Sequence, residues 1–116
     1  MKTVSVTHAR SARDVAVRVS VADNPWRRLR GLLGRPALGE GQGMLLLGCS
    51  SVHTVGMGYP IDVAFLDRDG VVVRTIRGLT PGRLGFGGPG AEHALELPAG
   101  RLERTGTVPG TQLHWS

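Results

Sequence analysis

A single cysteine in 116 residues excludes an internal disulfide, and one thiol cannot by itself complete a cysteine-based zinc site. Cys49 therefore fits a reducing compartment. No stretch approaches the roughly 18 apolar residues in a row that a membrane span requires, so no membrane partner is expected. The opening MKTVSVTHARSARDVAVRVSVA alternates polar with apolar residues and lacks the continuous hydrophobic region of a secretory signal. The expectation is a soluble cytoplasmic protein. Aromatic residues make up only 4% of the chain, which leaves the core to Val, Leu and Ala. It also argues against the stacked aromatic platforms that hold single-stranded nucleic acid. Lys2 is the only lysine, so nearly all the positive charge is arginine.

The formal net charge of +5 would suit nucleic acid or an anionic surface. Abundant Arg, Gly, Ala, Val and Pro is also how a GC-rich genome writes any protein, and that explanation is simpler. A hydrophobic fraction of 41% with 20% charged residues is ordinary globular composition. At this length one core suffices, so residues 1–116 are expected to form a single domain.

Residues 14–21, DVAVRVSV, place Val15, Val17, Val19 and Val21 on one side in strict period two, the pattern of a half-buried strand. Residues 2–8 form a shorter strand before it, joined through the polar turn ARSAR. DNPWRRLRGLLGRP carries helix punctuation: Asp23 or Asn24 to cap, Pro25 in the first turn, Gly34 and Pro36 to stop. Trp26, Leu29, Leu32 and Leu33 form its apolar stripe, and Arg27, Arg28 and Arg30 share its wetter side. GMLLLGC is short and bounded by glycines, a buried strand.

IDVAFLDRDGVVVRTIR is a hairpin around Asp69-Gly70. A three-residue loop with Gly70 left-handed gathers Ile61, Val63, Phe65, Val71 and Val73 on one face, whereas a two-residue loop sets Asp62 opposite Arg77. The first gives the cleaner apolar face. GLTPGRLGFGGPGAE is expected to be irregular. HALELP is a strand, AGRLERTG a helical turn ended by Gly106, and TQLHWS a closing strand. About six strands joined by hairpins, with one short amphipathic helix, make a mainly β fold: a compact antiparallel sandwich or barrel.

Chemistry-bearing residues gather in CSSVHTVGMGYPID, with Cys49, His53 and Asp62. With His93 these include metal-ligand types, but Cys-x₃-His is a loose spacing without a second pair, and no metal site is assigned. Cys49, His53 and Asp62 would also suit a nucleophile, base and orienter, though a lone cysteine after GMLLLG serves equally as a small core residue. PGRLGFGGPG has the glycine density of a phosphate loop but matches neither Walker nor dinucleotide patterns. Arg83 within it, with Arg30 of the basic helix, is a candidate for an anion. Asp62 and Glu96 each sit inside an apolar strand, where a carboxylate either faces solvent or is buried with partners.

Gly31-Leu32-Leu33, Gly43-Met44, Pro60-Ile61-Asp62 followed by VAFLD, and Leu95-Glu96 with Ala99-Gly100 together resemble the DUF192 family, also called UPF0127. Many members carry Trp-Met-x-Asn-Thr before the proline. Here His53-Thr54-Val55-Gly56-Met57 stands in that place, similar to a sub-group with a Cys…His-Thr…Met…Pro-Ile-Asp signature. The resemblance implies a compact, mainly β domain and no assigned activity or cofactor.

Three readings of function follow. The first is a small-molecule binding module with a pocket of His53, Asp62 and Glu96, walled by Met44 and Met57 and near Cys49 and His93. The second is a hydrolase-like or metal-dependent enzyme using Cys49, His53 and His93. The third, which the composition disfavours, is nucleic-acid or anion binding through Arg27, Arg28, Arg30 and Arg35.

Overall fold

The computed structural model describes residues 2–24 and 37–116. Nine strands and one short helix are described: β1 (Thr3–His8), β2 (Asp14–Ala22), β3 (Gln42–Leu47), β4 (Ser51–His53), β5 (Ile61–Leu66), β6 (Val72–Leu79), β7 (Leu84–Phe86), β8 (His93–Pro98), α1 (Arg101–Thr105) and β9 (Leu113–Trp115). Seven strands form one sheet in the order β6-β5-β8-β3-β2-β1-β9, and β4 pairs with β7 in a separate ribbon. The fold is therefore mainly β, as the alternation implies.

The large sheet curls into a half-barrel. Its two end strands come back together at a bridge between Val71 and Gln112, just before β6 and β9. Val72 N donates to Thr111 O at 2.9 Å beside that bridge. One buried cluster draws on all seven strands, for example Val72, Leu66, Leu95, Leu45, Val19, Val6 and Leu113, and it includes Leu102 of α1. A set of side chains contributed by every strand is the barrel interior. A second cluster, with Met44, Leu46, Ile61, Val63, Phe65 and Ala94, lies on the other face of the central strands. There Val52 of β4 and Met57 cover it. Every residue of β5 is buried, because this strand is sealed on both faces.

Four sequence expectations are corrected. Not every pairing is antiparallel: β2 and β3 run parallel, Arg18 opposite Gln42 through Ala22 opposite Leu46. The 19 residues between them satisfy the long crossover that a parallel pair requires. Val17 does not join Val15, Val19 and Val21 in the core but is 53% exposed. The cause is an irregularity in β2, where the amides of Val17 and Arg18 both donate to Gly41 O, at 2.8 and 2.9 Å. One strand period is thus interrupted, and Ala16 turns inward in place of Val17.

The hairpin follows first one register and then the other. Gly70 is left-handed (φ 84°), and Leu66 opposes Val72, as a three-residue loop demands. A bulge then shifts the pairing by one, so Phe65 opposes Arg74 and Val63 opposes Ile76. Val73 joins the Val63 face, but Val71 does not. Finally, the glycine-rich stretch is not wholly irregular. Leu84–Phe86 pairs with Ser51–His53, and its glycines are explained by packing. A Cβ on Gly87 would lie 2.5 Å from Ala91 Cβ and 2.8 Å from the Phe65 ring. The helix expected over DNPWRRLRGLLGRP lies outside the described residues.

Candidate functional site

Glu96 and Asp62 stand on neighbouring strands, yet on opposite faces of the sheet. In the antiparallel pairing of β5 with β8, Asp62 opposes Leu97 and Val63 opposes Glu96. Directly opposed residues share a face. Asp62 therefore points with Leu97 into the barrel, and Glu96 points with Val63 and Met44 to the second cluster.

Asp62 is completely buried and fully employed. Its Oδ1 accepts the amide of Gly78 at 2.8 Å, and its Oδ2 accepts those of Gly100 and Leu102, both at 3.0 Å. Gly78 is left-handed (φ 64°) and lies in the second bulge of β6, opposite the Ile61–Val63 segment. Gly100 (φ 92°) precedes α1 and offers no side-chain cap of its own. One carboxylate from β5 thus closes a bulge on one side and caps a helix start on the other, satisfying three amide donors that would otherwise be orphaned.

Glu96 is the contrary case. It is 3% exposed, on the third strand of the large sheet, and its Oε1 is buried with no hydrogen-bond partner. Burial pushes the carboxyl up to about 7. The cause is desolvation: an apolar surround disfavours the charged form, and among the described residues no cation offsets it. Around it, Met44, Met57, Val63 and Phe65 form the apolar cluster, with Cys49, Tyr59 and Leu38 packed at its margin. The candidate site is therefore a carboxyl poised between its two protonation states near neutrality, on an apolar face with methionines.

The remaining candidates are distributed as follows. Met44, Met57 and Cys49 share the Glu96 face. His53 lies on the β4–β7 ribbon opposite Leu84, while its neighbour Val52 faces the cluster. By alternation His53 is directed away from Val52. His93 shares the barrel-side face with Leu95. Its Nδ1 accepts the Gly48 amide at 3.0 Å, and its ring meets Trp115 edge-on at 6.1 Å between centroids. Among the described residues no group of three or more His, Cys, Asp or Glu stands where it could hold a metal ion.

Arg83 is exposed, and its backbone rather than its guanidinium is what the loop holds: its amide donates to Thr54 Oγ1 at 2.9 Å. Thr54 is wholly buried and donates its own hydroxyl to Thr80 O at 2.6 Å. In the sequence Thr54 stands out only within the His53-Thr54 signature, and a threonine in a turn carries no signal of that buried role. Arg30, like Arg27, Arg28 and Arg35, lies outside the described residues. No described helix is long and apolar enough to cross a membrane.

Comparison with known proteins agrees with this architecture. No curated protein matches the chain. A solved structure of a protein of unknown function from Novosphingobium aromaticivorans is 25% identical, with a TM-score of 0.82 over 97% of this chain and 84% of its own. One from Sinorhizobium meliloti, named as a candidate transcription regulator, is 26% identical, with a TM-score of 0.84 over 97% and 92%. The model of the family described as DUF192, Uncharacterized ACR, COG1430 matches residues 6–115. The chain belongs to the DUF192 family.

Proposed function

We propose that the protein is a binding module for a small molecule that joins a hydrogen-bond-donating head, such as an amine, to an apolar body. The head is received by Glu96 and the body by the methionine-bearing face around Met44 and Met57. The observation that carries this reading is the buried Glu96 Oε1 with no partner. A buried acceptor left unsatisfied costs about 1–3 kcal/mol, and a donor from a ligand removes that cost. A cytoplasmic setting accords with the lone cysteine. The enzyme reading built on Cys49, His53 and His93 has less support, because His93 faces the barrel interior with its Nδ1 engaged by Gly48.

Titration with benzylamine and butylamine, followed by amide NMR, tests the proposal. Shifts are expected at Met44, Met57, Val63 and residues 94–97, and they are expected to vanish in Glu96→Gln. Shifts confined to other faces, or unchanged in that variant, would refute it. A duplex DNA arm is included because the Sinorhizobium meliloti protein is named as a candidate transcription regulator. Salt-sensitive DNA binding with no amine response would favour the nucleic-acid reading instead.

A further inference from the structure

A second cluster of polar groups shares no residue with the Glu96 face and lies at the seam where the sheet closes. A cleft of about 550 Å³ opens there between the β1–β2 turn and the loop before β9. That volume is within the range of small-molecule sites, roughly 300–1,000 Å³. His8, Arg10 and Thr111 bring polar groups to its wall, and Val71, Val108 and Pro109 bring apolar surface.

His8 is held from behind by buried hydroxyls, and their order settles its tautomer. Thr105 Oγ1 gives its one proton to Arg101 O at 2.8 Å. In the 2.8 Å contact between Thr105 and Thr107, the donor is therefore Thr107. With its proton spent, Thr107 Oγ1 accepts from His8 Nε2, 2.9 Å away. Neutral His8 is thus protonated at Nε2 and carries its lone pair at Nδ1. Proton uptake at Nδ1 leaves the relay intact and adds a positive charge to the cleft wall beside Arg10. Both Thr105 and Thr107 are buried, so the ring is held by fixed partners rather than by solvent.

Other charged or titratable groups on the packed elements are Arg13 just before β2, Asp14 and Arg18 on it, His114 on β9, Arg101, Glu103 and Arg104 on α1, and Asp67, Arg68 and Asp69 in the hairpin turn beside Val71. Arg101 and Arg104 both turn to Glu40, at 3.5 and 3.6 Å, so the charge left to an anion at the cleft wall is that of Arg10, with His8 beside it. Burial, and then the charge of Arg13, hold the His8 pKa below its ordinary value. A bound anion would oppose both effects.

We infer that this cleft is a binding site for a small organic oxyanion, a carboxylate or phosphate on an apolar body, held between Arg10 and His8 with the body against Val71, Val108 and Pro109. Binding takes up a proton at His8 Nδ1, so affinity rises as pH falls.

Benzenesulfonate stays ionised across the useful pH range and is the probe, with sulfate as the headgroup-only arm. Amide and imidazole NMR at pH 5 and pH 8 should place benzenesulfonate shifts at Val71, Val108, Thr111 and His8. The His8 midpoint should rise by about one unit at saturation, which corresponds to about tenfold tighter binding of the protonated form. Sulfate should bind more weakly at the same residues. Arg10→Gln, on the exposed turn, should weaken binding at both pH values. His8→Gln should abolish the pH dependence. Equal affinity at the two pH values, pH dependence that survives His8→Gln, or affinity unchanged by Arg10→Gln would overturn the inference. These residues are separate from the Glu96 face, so failure of the amine titration leaves this result standing, and the reverse.

Discussion

Neutralising Glu96 without changing its shape gives the most direct test of the candidate site. Its carboxyl moves from an ordinary 4.5 to about 7 on folding. Between those values the unfolded chain has lost the proton and the folded chain keeps it. The unfolded state then binds fewer protons, so unfolding free energy falls as pH rises. The stability present below pH 4.5 is lost progressively until the pH passes the folded value. Two and a half units at 1.36 kcal/mol each come to about 3 kcal/mol. For an m-value of about 2 kcal/mol per molar of urea, this is a midpoint shift of roughly 1.5 M.

Other groups titrate in the same range. The lowered pKa of His8 works in the opposite sense, making stability fall as pH drops below 6.5. The difference between wild type and Glu96→Gln cancels such terms. Urea unfolding of both proteins at half-unit steps from pH 4.5 to 8.5 should show near-equal stability at the acid end. At pH 8 the variant should be more stable by up to about 3 kcal/mol, since it carries no buried charge. A constant difference across that range, or one that grows toward acid, would refute the assignment of an uncompensated buried carboxyl.

Asp62→Ala strands the amides of Gly78, Gly100 and Leu102 and should cost about 3 kcal/mol or more in urea unfolding, with faster hydrogen exchange at those three positions. A cost under about 1 kcal/mol would show that water replaces the carboxylate. Gly87→Ala should destabilise by about 1–3 kcal/mol through the contact with Ala91 and Phe65. Gly88→Ala meets no atom within 4 Å, so its cost should come from the left-handed backbone alone, about 1–2 kcal/mol. Thr54→Val should free the 80–83 segment, read as faster exchange of the Arg83 amide with the large sheet unaffected.

How far the fold was legible depended on how local its cause is. HALELP and the turn ending at Gly106 occupy their expected places because hydrophobic alternation and a left-handed glycine are properties of a few adjacent residues. Gly70 is another such case. The bulge that follows it was hidden, because the three-residue register already gave the cleaner apolar face and no residue nearby marks the shift between Phe65 and Leu66. The strand Leu84–Phe86 was hidden by its glycines, which serve close approach to Ile76 and Phe65 rather than chain flexibility.

The two acidic residues show the same limit at the site. Alternation places each on a definite side of its strand, but both sides of β5 and β8 are buried, so burial could not distinguish them. Only the third dimension reveals that one carboxylate meets three amides and the other meets none. His8 stood unremarked at the end of the first strand; its partners Thr105 and Thr107 lie almost the whole length of the chain away.

The pairing of β1 with β9 has a consequence for how the molecule is made. Val6 to His8 bond to Leu113 to Trp115, partners separated in sequence by about a hundred residues. At ribosomal rates of roughly 5–20 residues per second, the outer edge of β1 waits on the order of ten seconds for its neighbour to be synthesised. During that interval the nascent sheet can assemble from β2 to β8 but cannot shut, and an open strand edge is a template for other chains. Exposed Thr3 and Ser5 alternate with the buried Val4 and Val6 of β1, which limits how readily that edge recruits a stranger before its own partner emerges.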